Sequence, residues 1–90
     1  MVTSAISTEQ AQEWCLDLLG QCRAARIDAN NAHTPDAQRK SFRVLLVRYG
    51  STVGVIDALW RVGLLTDSFR DQTKNDALIS IAERVVDAPG

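Results

Sequence analysis

The chain has 90 residues, a formal net charge of −1 and a hydrophobic content of 46%. This length predicts a single helical domain over 1–90, with flexible ends at 1–6 and 87–90, that folds without disulfides or metals. The near-neutral charge argues against nucleic acid or an anionic membrane as the main partner. No apolar run reaches the roughly 18 residues of a membrane-spanning helix, and the first six residues lack the features of a secretory signal.

The first predicted helix covers residues 8 to about 27. Ser7 and Gln10 have the spacing of a capping box, in which each side chain bonds the backbone N–H of the other residue. Apolar side chains then recur at three- and four-residue intervals, which is the pattern of a helix with one buried face. The residues of this face are Ala11, Trp14, Cys15, Leu18, Leu19, Cys22 and Ala25.

The two cysteines of this helix, Cys15 and Cys22, are seven residues apart, or about 10 Å along a helix, which is beyond the reach of a disulfide. We expect two small buried side chains in a reduced, cytoplasmic protein. An intermolecular or reactive thiol stays open as the alternative. We also expect both Trp14 and Trp60 to bury most of their rings.

The second predicted helix begins with Thr34 as N-cap, Pro35 at the first position and Asp36 in the first turn. It is predicted to run to Tyr49, with Gly50 as its stop. Its expected core face consists of Phe42, Leu45, Leu46 and Tyr49. Its other face combines basic and aliphatic residues: Arg39, Lys40, Arg43, Val44 and Val47.

The third predicted helix begins at Ser51 as its cap and is unusually apolar, since nine of the fifteen residues from Ser51 to Leu65 are hydrophobic. Its apolar side chains cover roughly 220° of arc, against the ~100° that a surface helix needs. Asp57 and Arg61 have the spacing of an ion pair on its polar edge. Gly63 is expected to end it in a Schellman cap. The excess apolar arc predicts a position inside a bundle or under a partner.

The last segment is interpreted as a short turn near 67–72, opening at Thr66 or Asp67, followed by a fourth helix from about 75 to 87. The apolar face expected for that helix consists of Leu78, Ile81, Ala82, Val85 and Val86. The predicted fold is a compact all-α domain of four helices with short connections. The alternative is an α-β-β-α arrangement with a hairpin at about 42–56, because that region contains valines and aromatic residues.

The sequence offers little to catalysis or cofactor binding. His33 is the only histidine and lies in a polar connection, so we expect no metal site. Glu9, Glu13 and Asp17 fall on the expected solvent side of the first helix, whereas a carboxylate pair that does acid–base work needs an apolar pocket. The scattered glycines do not form a phosphate loop. We therefore expect no enzyme and no cofactor.

Residues Leu45 to Leu65, with a turn at Tyr49–Val53 and a helix that ends in Gly63-Leu64-Leu65, resemble the helix-turn-helix of winged-helix repressors. The similarity covers about 20 residues, and the short turn and the missing β-wing pattern depart from that class. The resemblance implies a DNA-binding regulator. In it, Arg39, Lys40 and Arg43 would bind phosphates, whereas the apolar helix supplies few groups for base readout.

The interpretation favoured by the sequence is a small protein-interaction module, acting as a homodimer or as a subunit of a complex. Its expected role is that of a regulator, inhibitor or adaptor of a bacterium or phage. We expect it to bind neither a membrane nor a small-molecule substrate. An interface joins an apolar centre to a charged rim, which the second and third predicted helices supply. The expected interface residues are Val44, Val47, Val55, Leu59, Val62, Arg39, Lys40 and Arg43. In the alternative packing, the valines lie under the last helix and the arginines pair with its acids.

Overall fold

The computed structural model of the protein describes residues 6–82, and these residues form three α-helices. Helix α1 spans Thr8–Asn31, α2 spans Pro35–Arg61 and α3 spans Asp67–Ala82. The all-α class is confirmed. The four-helix count is wrong for the described residues, and the alternative hairpin at 42–56 is wrong because that region lies inside α2. None of these helices is both long and apolar enough to cross a membrane.

Both predicted helix starts in the first half of the chain are confirmed. The Ser7 hydroxyl accepts from the backbone N–H of Gln10, and the Ser7 N–H donates to Gln10 Oε1, each at 3.0 Å. Thr34 caps α2 by accepting from the N–H of Ala37 at 3.1 Å. Helix α1 ends four residues later than expected, at Asn31, so the connection between α1 and α2 is very short.

Helix α2 passes without interruption through Gly50 and Ser51, so the predicted stop and the predicted cap at these residues are both wrong. The buried residues Leu45, Thr52 and Ile56 are seven and four positions apart, and they form one stripe across the glycine. A glycine inside a helix costs about 0.5–1 kcal/mol. Packing on both sides of Gly50 offsets this cost, and two predicted helices become one.

The predicted Schellman cap at Gly63 is confirmed. Gly63 has a φ of 85°, its N–H donates to the carbonyl of Trp60 at 3.0 Å, and the Leu64 N–H donates to the carbonyl of Leu59 at 2.9 Å. These two bonds satisfy carbonyls that the helix end would otherwise leave free. The expected pairing of Asp57 with a residue of its own helix is wrong: Asp57 accepts from Lys74 Nζ of α3 at 3.0 Å, and Arg61 lies exposed.

Helix α3 opens at Thr66, whose hydroxyl accepts from the N–H of Phe69 at 3.1 Å, as predicted. The separate turn at 67–72 is wrong because α3 is one continuous helix. The end of the predicted fourth helix, with Val85 and Val86, lies outside the described residues, as do the expected flexible ends apart from Ile6, which packs against the core.

The buried face of α3 consists of small side chains, Thr73, Ala77 and Ser80, rather than the predicted apolar face with Leu78. The hydroxyl of Thr73 donates to the Phe69 carbonyl, and that of Ser80 donates to the Asp76 carbonyl at 3.2 Å. Because these hydroxyls are satisfied within their own helix, they can be buried at little cost. The small side chains let α3 approach its neighbours closely, and Leu78 remains half exposed.

The core lies between antiparallel α1 and α2. The hydrogen bond between Arg48 and Gln21 at 3.0 Å, and the contact of Cys22 Sγ with Thr52 Oγ1 at 3.2 Å, fix their register. The buried apolar residues are Ala11, Cys15, Leu19, Cys22, Ala25, Leu45, Ile56, Leu59, Leu65 and Ala77. Four residues that were expected to be buried are partly exposed to solvent. Trp14, Phe42 and Leu46 are 42–46% exposed, and Trp60 is half-buried.

Candidate protein-interaction surface

Helix α3 covers only one side of the α1–α2 pair. Its Lys74 and Asp67 contact Asp57 and Trp60 of α2, at 3.0 and 2.7 Å. Its Ser80 carbonyl accepts from Arg26 of α1 at 2.8 Å. We call the opposite side of the α1–α2 pair, which faces away from α3, the back face.

Gln21 lies five positions before Arg26, or about 140° around α1 from the residue that contacts α3, so the hydrogen bond between Gln21 and Arg48 lies on the back face. Residues seven positions apart lie on nearly the same side of an α-helix. This spacing places Trp14 of α1, and Val55 and Val62 of α2, on the same side as that bond. Trp14 is 44% exposed, so a large aromatic ring contributes to this surface.

One stripe of α2 on the back face consists of small and apolar residues, with the exposed Arg48 at its edge beside α1. Its members recur at three- and four-residue intervals over 18 positions, which is about 27 Å of helix. They are Val44, Val47, Ser51, Gly54, Val55, Ala58 and Val62. Val44, Val47 and Val62 are 47%, 63% and 70% exposed, although an apolar surface of this length is normally covered. The excess apolar arc predicted for this region is therefore present on the folded chain.

The predicted interface residues divide into three groups. Val44, Val47 and Val62 are exposed on the stripe, and Val55 is half-buried because it also packs against the core. Leu59 is a core residue with 7% exposure, so it is not available to a partner in this fold. The alternative in which the valines pack under the last helix is wrong for α3, since both Val44 and Val47 remain exposed.

The three predicted basic residues divide between two sides of α2: Lys40 and Arg43 lie four positions before Val44 and Val47 of the stripe, whereas Arg39 lies seven positions before Leu46, on the side that faces α3. Arg39 forms an ion pair with Asp36 of its own helix. Within residues 6–82, no ion pair joins Arg39, Lys40 or Arg43 to α3. Arg39 and Arg43 also border an open groove of about 560 Å³, beside the end of described α3, whose apolar residues are Phe42 and Leu46. Lys40 and Arg43 are therefore the two basic residues that border the stripe, as the charged rim of an apolar interface would.

The cysteines, the histidine and the carboxylates of α1 do not form a catalytic or metal-binding cluster within residues 6–82. Cys15 and Cys22 are free and buried, as expected, and burial raises the pKa of the Cys15 thiol. His33 is exposed, and so are the side chains of Glu9, Glu13 and Asp17. Among residues 6–82, no group of three or more histidine, cysteine or carboxylate side chains is arranged to hold a metal ion.

The structure does not form the predicted helix-turn-helix. The turn expected at Tyr49–Val53 is a continuous part of α2, because the buried stripe carries the helix across Gly50. The resemblance to winged-helix repressors therefore lacks the two-helix unit on which it depended.

Sequence reasoning missed four contributors to the back face: Trp14, Ser51, Gly54 and Ala58. Trp14 has the spacing of the predicted core face of α1, and Ser51, Gly54 and Ala58 are too small to mark an interface by hydropathy. The signal that identifies the three α2 residues is the second three- and four-residue repeat along α2, which becomes visible only when α2 is one helix. Comparisons of the chain with protein-family models, with curated proteins and with solved structures found no match.

Proposed function

We propose that this chain is a small protein-interaction module that acts through its back face, as a homodimer or as a subunit of a complex. The observation that carries the proposal is the stripe of small and apolar residues of α2 between Val44 and Val62, exposed on the side that α3 leaves free and edged by Arg48. The module would serve a cytoplasmic regulator, inhibitor or adaptor. It needs neither a cofactor nor a catalytic residue.

The composition of the surface supports protein rather than solvent as its neighbour. Fully burying one valine side chain is worth about 1.5 kcal/mol or more, so a partner over Val44, Val47 and Val62 gains several kcal/mol. Trp14 adds a large aromatic side chain, of the type that dominates binding energy in interfaces. The neighbouring basic residues, Lys40 and Arg43, are positioned to form a charged rim.

The test compares association of the chain with that of two matched double variants. In the first, Val47→Glu and Val62→Glu place charge on the stripe. In the second, Leu78→Glu and Ile79→Glu change two residues of α3 that are each 50% exposed. Circular dichroism first establishes that all three proteins remain helical.

Sedimentation equilibrium from about 1 to 500 μM then measures self-association. We expect the wild type and the α3 variant to associate, and the stripe variant to be monomeric. A monomeric wild type at high micromolar concentration would refute the homodimer and leave a different protein as the partner. Equal weakening by both double variants would show that the stripe is not the interface.

DNA binding remains the second candidate, because Lys40 and Arg43 have no ion pair among the described residues. Phosphate contacts would make binding weaken steeply with salt, by about one unit of salt slope for each contact. A mobility-shift assay at about 100 mM salt tests this candidate with mixed genomic fragments. Retention at sub-micromolar protein that is lost in Arg39→Glu/Arg43→Glu would support DNA binding; we expect no retention.

A further inference from the structure

The open groove beside the end of described α3 combines an apolar floor with a basic rim. Its volume is about 560 Å³, and the side chains of Phe42 and Leu46 are 42% and 46% exposed in it. Among the described residues that line it, every charged one is an arginine: Arg26, Arg39 and Arg43. Such a groove fits a segment that combines an apolar side chain with acidic residues.

The contacts of α3 with α2 show which part of the chain is directed at this groove. The two helices run antiparallel, and Lys74 of α3 donates to Asp57 of α2 at 3.0 Å. Eleven residues make about three turns of an α-helix, so a side chain eleven positions away lies on the same side. Leu46 precedes Asp57 by eleven positions, and Val85 follows Lys74 by eleven. Continued by three turns, this register brings position 85 level with Leu46.

Arg26 holds α3 at the entrance of the groove. It lines the groove, and its guanidinium group donates to the carbonyl of Ser80 at 2.8 Å and to the carbonyl of Ile81. A backbone carbonyl can accept two hydrogen bonds, so Ser80 and Ile81 can still accept from a further helical turn. The residues after Ala82 are tethered beside the groove, at an effective concentration on the order of millimolar.

We propose that residues 83–87 continue α3 and that Val85 occupies the groove, against Leu46 and Phe42. The groove is therefore a docking site for the chain's own continuation. It lies on the side of α2 that faces α3, whereas the stripe lies on the back face. The inference goes beyond the proposed function and does not depend on it, because the back face stays uncovered when the groove is closed.

The charges of this segment match those of the groove. Glu83 and Asp87 lie two positions before and after Val85, and Arg84 is the only basic residue among residues 83–90. The segment therefore brings a net negative charge to a rim of arginines. Opposite potentials favour the contact, and they would oppose a basic segment at the same place.

Backbone hydrogen exchange of the full chain tests the contact, because amides of an ordered, packed segment are protected from exchange. Val85→Asp and Val86→Asp place the same charge at neighbouring positions. Val86 lies nine positions after the buried Ala77, or about 180° around the helix, so it faces away from the groove. We expect protection of residues 83–87 in the wild type. It should fall on the order of tenfold in Val85→Asp, which loses a buried valine, and change little in Val86→Asp.

A second matched pair tests the groove from its other side. Leu46→Asp changes the floor of the groove, whereas Val47→Asp changes the neighbouring residue on the stripe. Leu46→Asp should remove the protection of residues 83–87, and Val47→Asp should preserve it. Circular dichroism and the exchange of α1 amides establish that each variant remains folded.

Three results would overturn the proposal. The first is rapid exchange of residues 83–87 in the wild type, and the second is an equal loss of protection in Val85→Asp and Val86→Asp. The third is protection that appears only as protein concentration rises, because it would place the segment in the groove of a second copy. Protection that is independent of concentration and sensitive to Val85 and Leu46 would establish the contact within one chain.

Discussion

Arg26 of α1 donates a hydrogen bond from Nε to the backbone carbonyl of Ser80 at 2.8 Å, and a second from its guanidinium group to the carbonyl of Ile81. A positive charge is favourable at the C-terminal turns of a helix, and Arg26 places one on the last described turn of α3. The two bonds tie α3 to α1 at the end farthest from the Gly63 cap. They therefore hold α3 on the side opposite the back face.

The first prediction follows from this contact. Arg26→Ala should lower the free energy of unfolding by about 1.5–3 kcal/mol, the value of hydrogen bonds to a charged group. Urea denaturation measures the loss, and hydrogen exchange should accelerate in the last turns of α3. The control is Arg23→Ala, an exposed arginine one turn earlier, which should change stability by less than about 0.5 kcal/mol. Equal losses in both variants would contradict the assignment.

Two glycines are predicted to respond to alanine in opposite directions. Gly63 has a φ of 85°, which an L-residue adopts only with strain, so Gly63→Ala should destabilise by roughly 1 kcal/mol. Gly20 is helical and exposed with nothing within 4 Å of an added Cβ, so Gly20→Ala should stabilise by about 0.5–1 kcal/mol. Thermal unfolding of both variants at one concentration checks the signs, and a gain in stability for Gly63→Ala would refute the cap.

The same two kinds of glycine explain how far the sequence predicts the fold. Gly63 was correctly predicted as a stop, because Leu64 follows it and can fold back on the helix. Gly50 was wrongly predicted as a stop, although Leu45, Thr52 and Ile56 continue one buried stripe across it. The local turn signal of Gly50 conflicts with this longer repeat, and packing of the repeat decides the structure. A glycine ends a helix only where the packing pattern also ends.

The back face was predictable in part for a related reason. The excess apolar arc and the exposed valines at 44, 47 and 62 follow from periodicity alone. The burial of Leu59 and the exposure of Trp14 depend on where α3 lies, and α3 buries small polar residues that hydropathy does not identify. The interaction surface is therefore defined by the side of the α1–α2 pair that the third helix leaves uncovered.

The third prediction concerns Cys15, which is fully buried. Burial raises the pKa of its thiol, because the charged thiolate loses its hydration. In the unfolded chain the thiol ionises near pH 8.5. Above that pH the unfolded state loses the proton first, so the contribution of Cys15 to stability is full below pH 8.5 and declines as pH rises through the higher folded pKa.

Urea unfolding of the wild type and of Cys15→Ala between pH 7 and 10 measures this contribution. The wild type should lose more stability over the range than the variant, whatever the variant costs at pH 7. At pH 8, alkylation of Cys15 should be slow in the folded chain and rapid in urea. A parallel pH dependence in the two proteins would contradict burial of the thiol.

The last prediction uses Trp14 as a reporter of the back face. In Trp60→Phe, the remaining Trp14 is 44% exposed in the single chain, so its emission should be that of a partly hydrated indole. Covering the back face removes water from the ring, and the emission should shift to shorter wavelength as protein concentration rises through the association range. The matched control is Trp14→Phe, which keeps Trp60 between α2 and α3, hydrogen-bonded to Asp67 and 4.1 Å from the Arg70 guanidinium. Its emission should not change with concentration. Association without a shift in Trp60→Phe would show that the chain pairs through another surface.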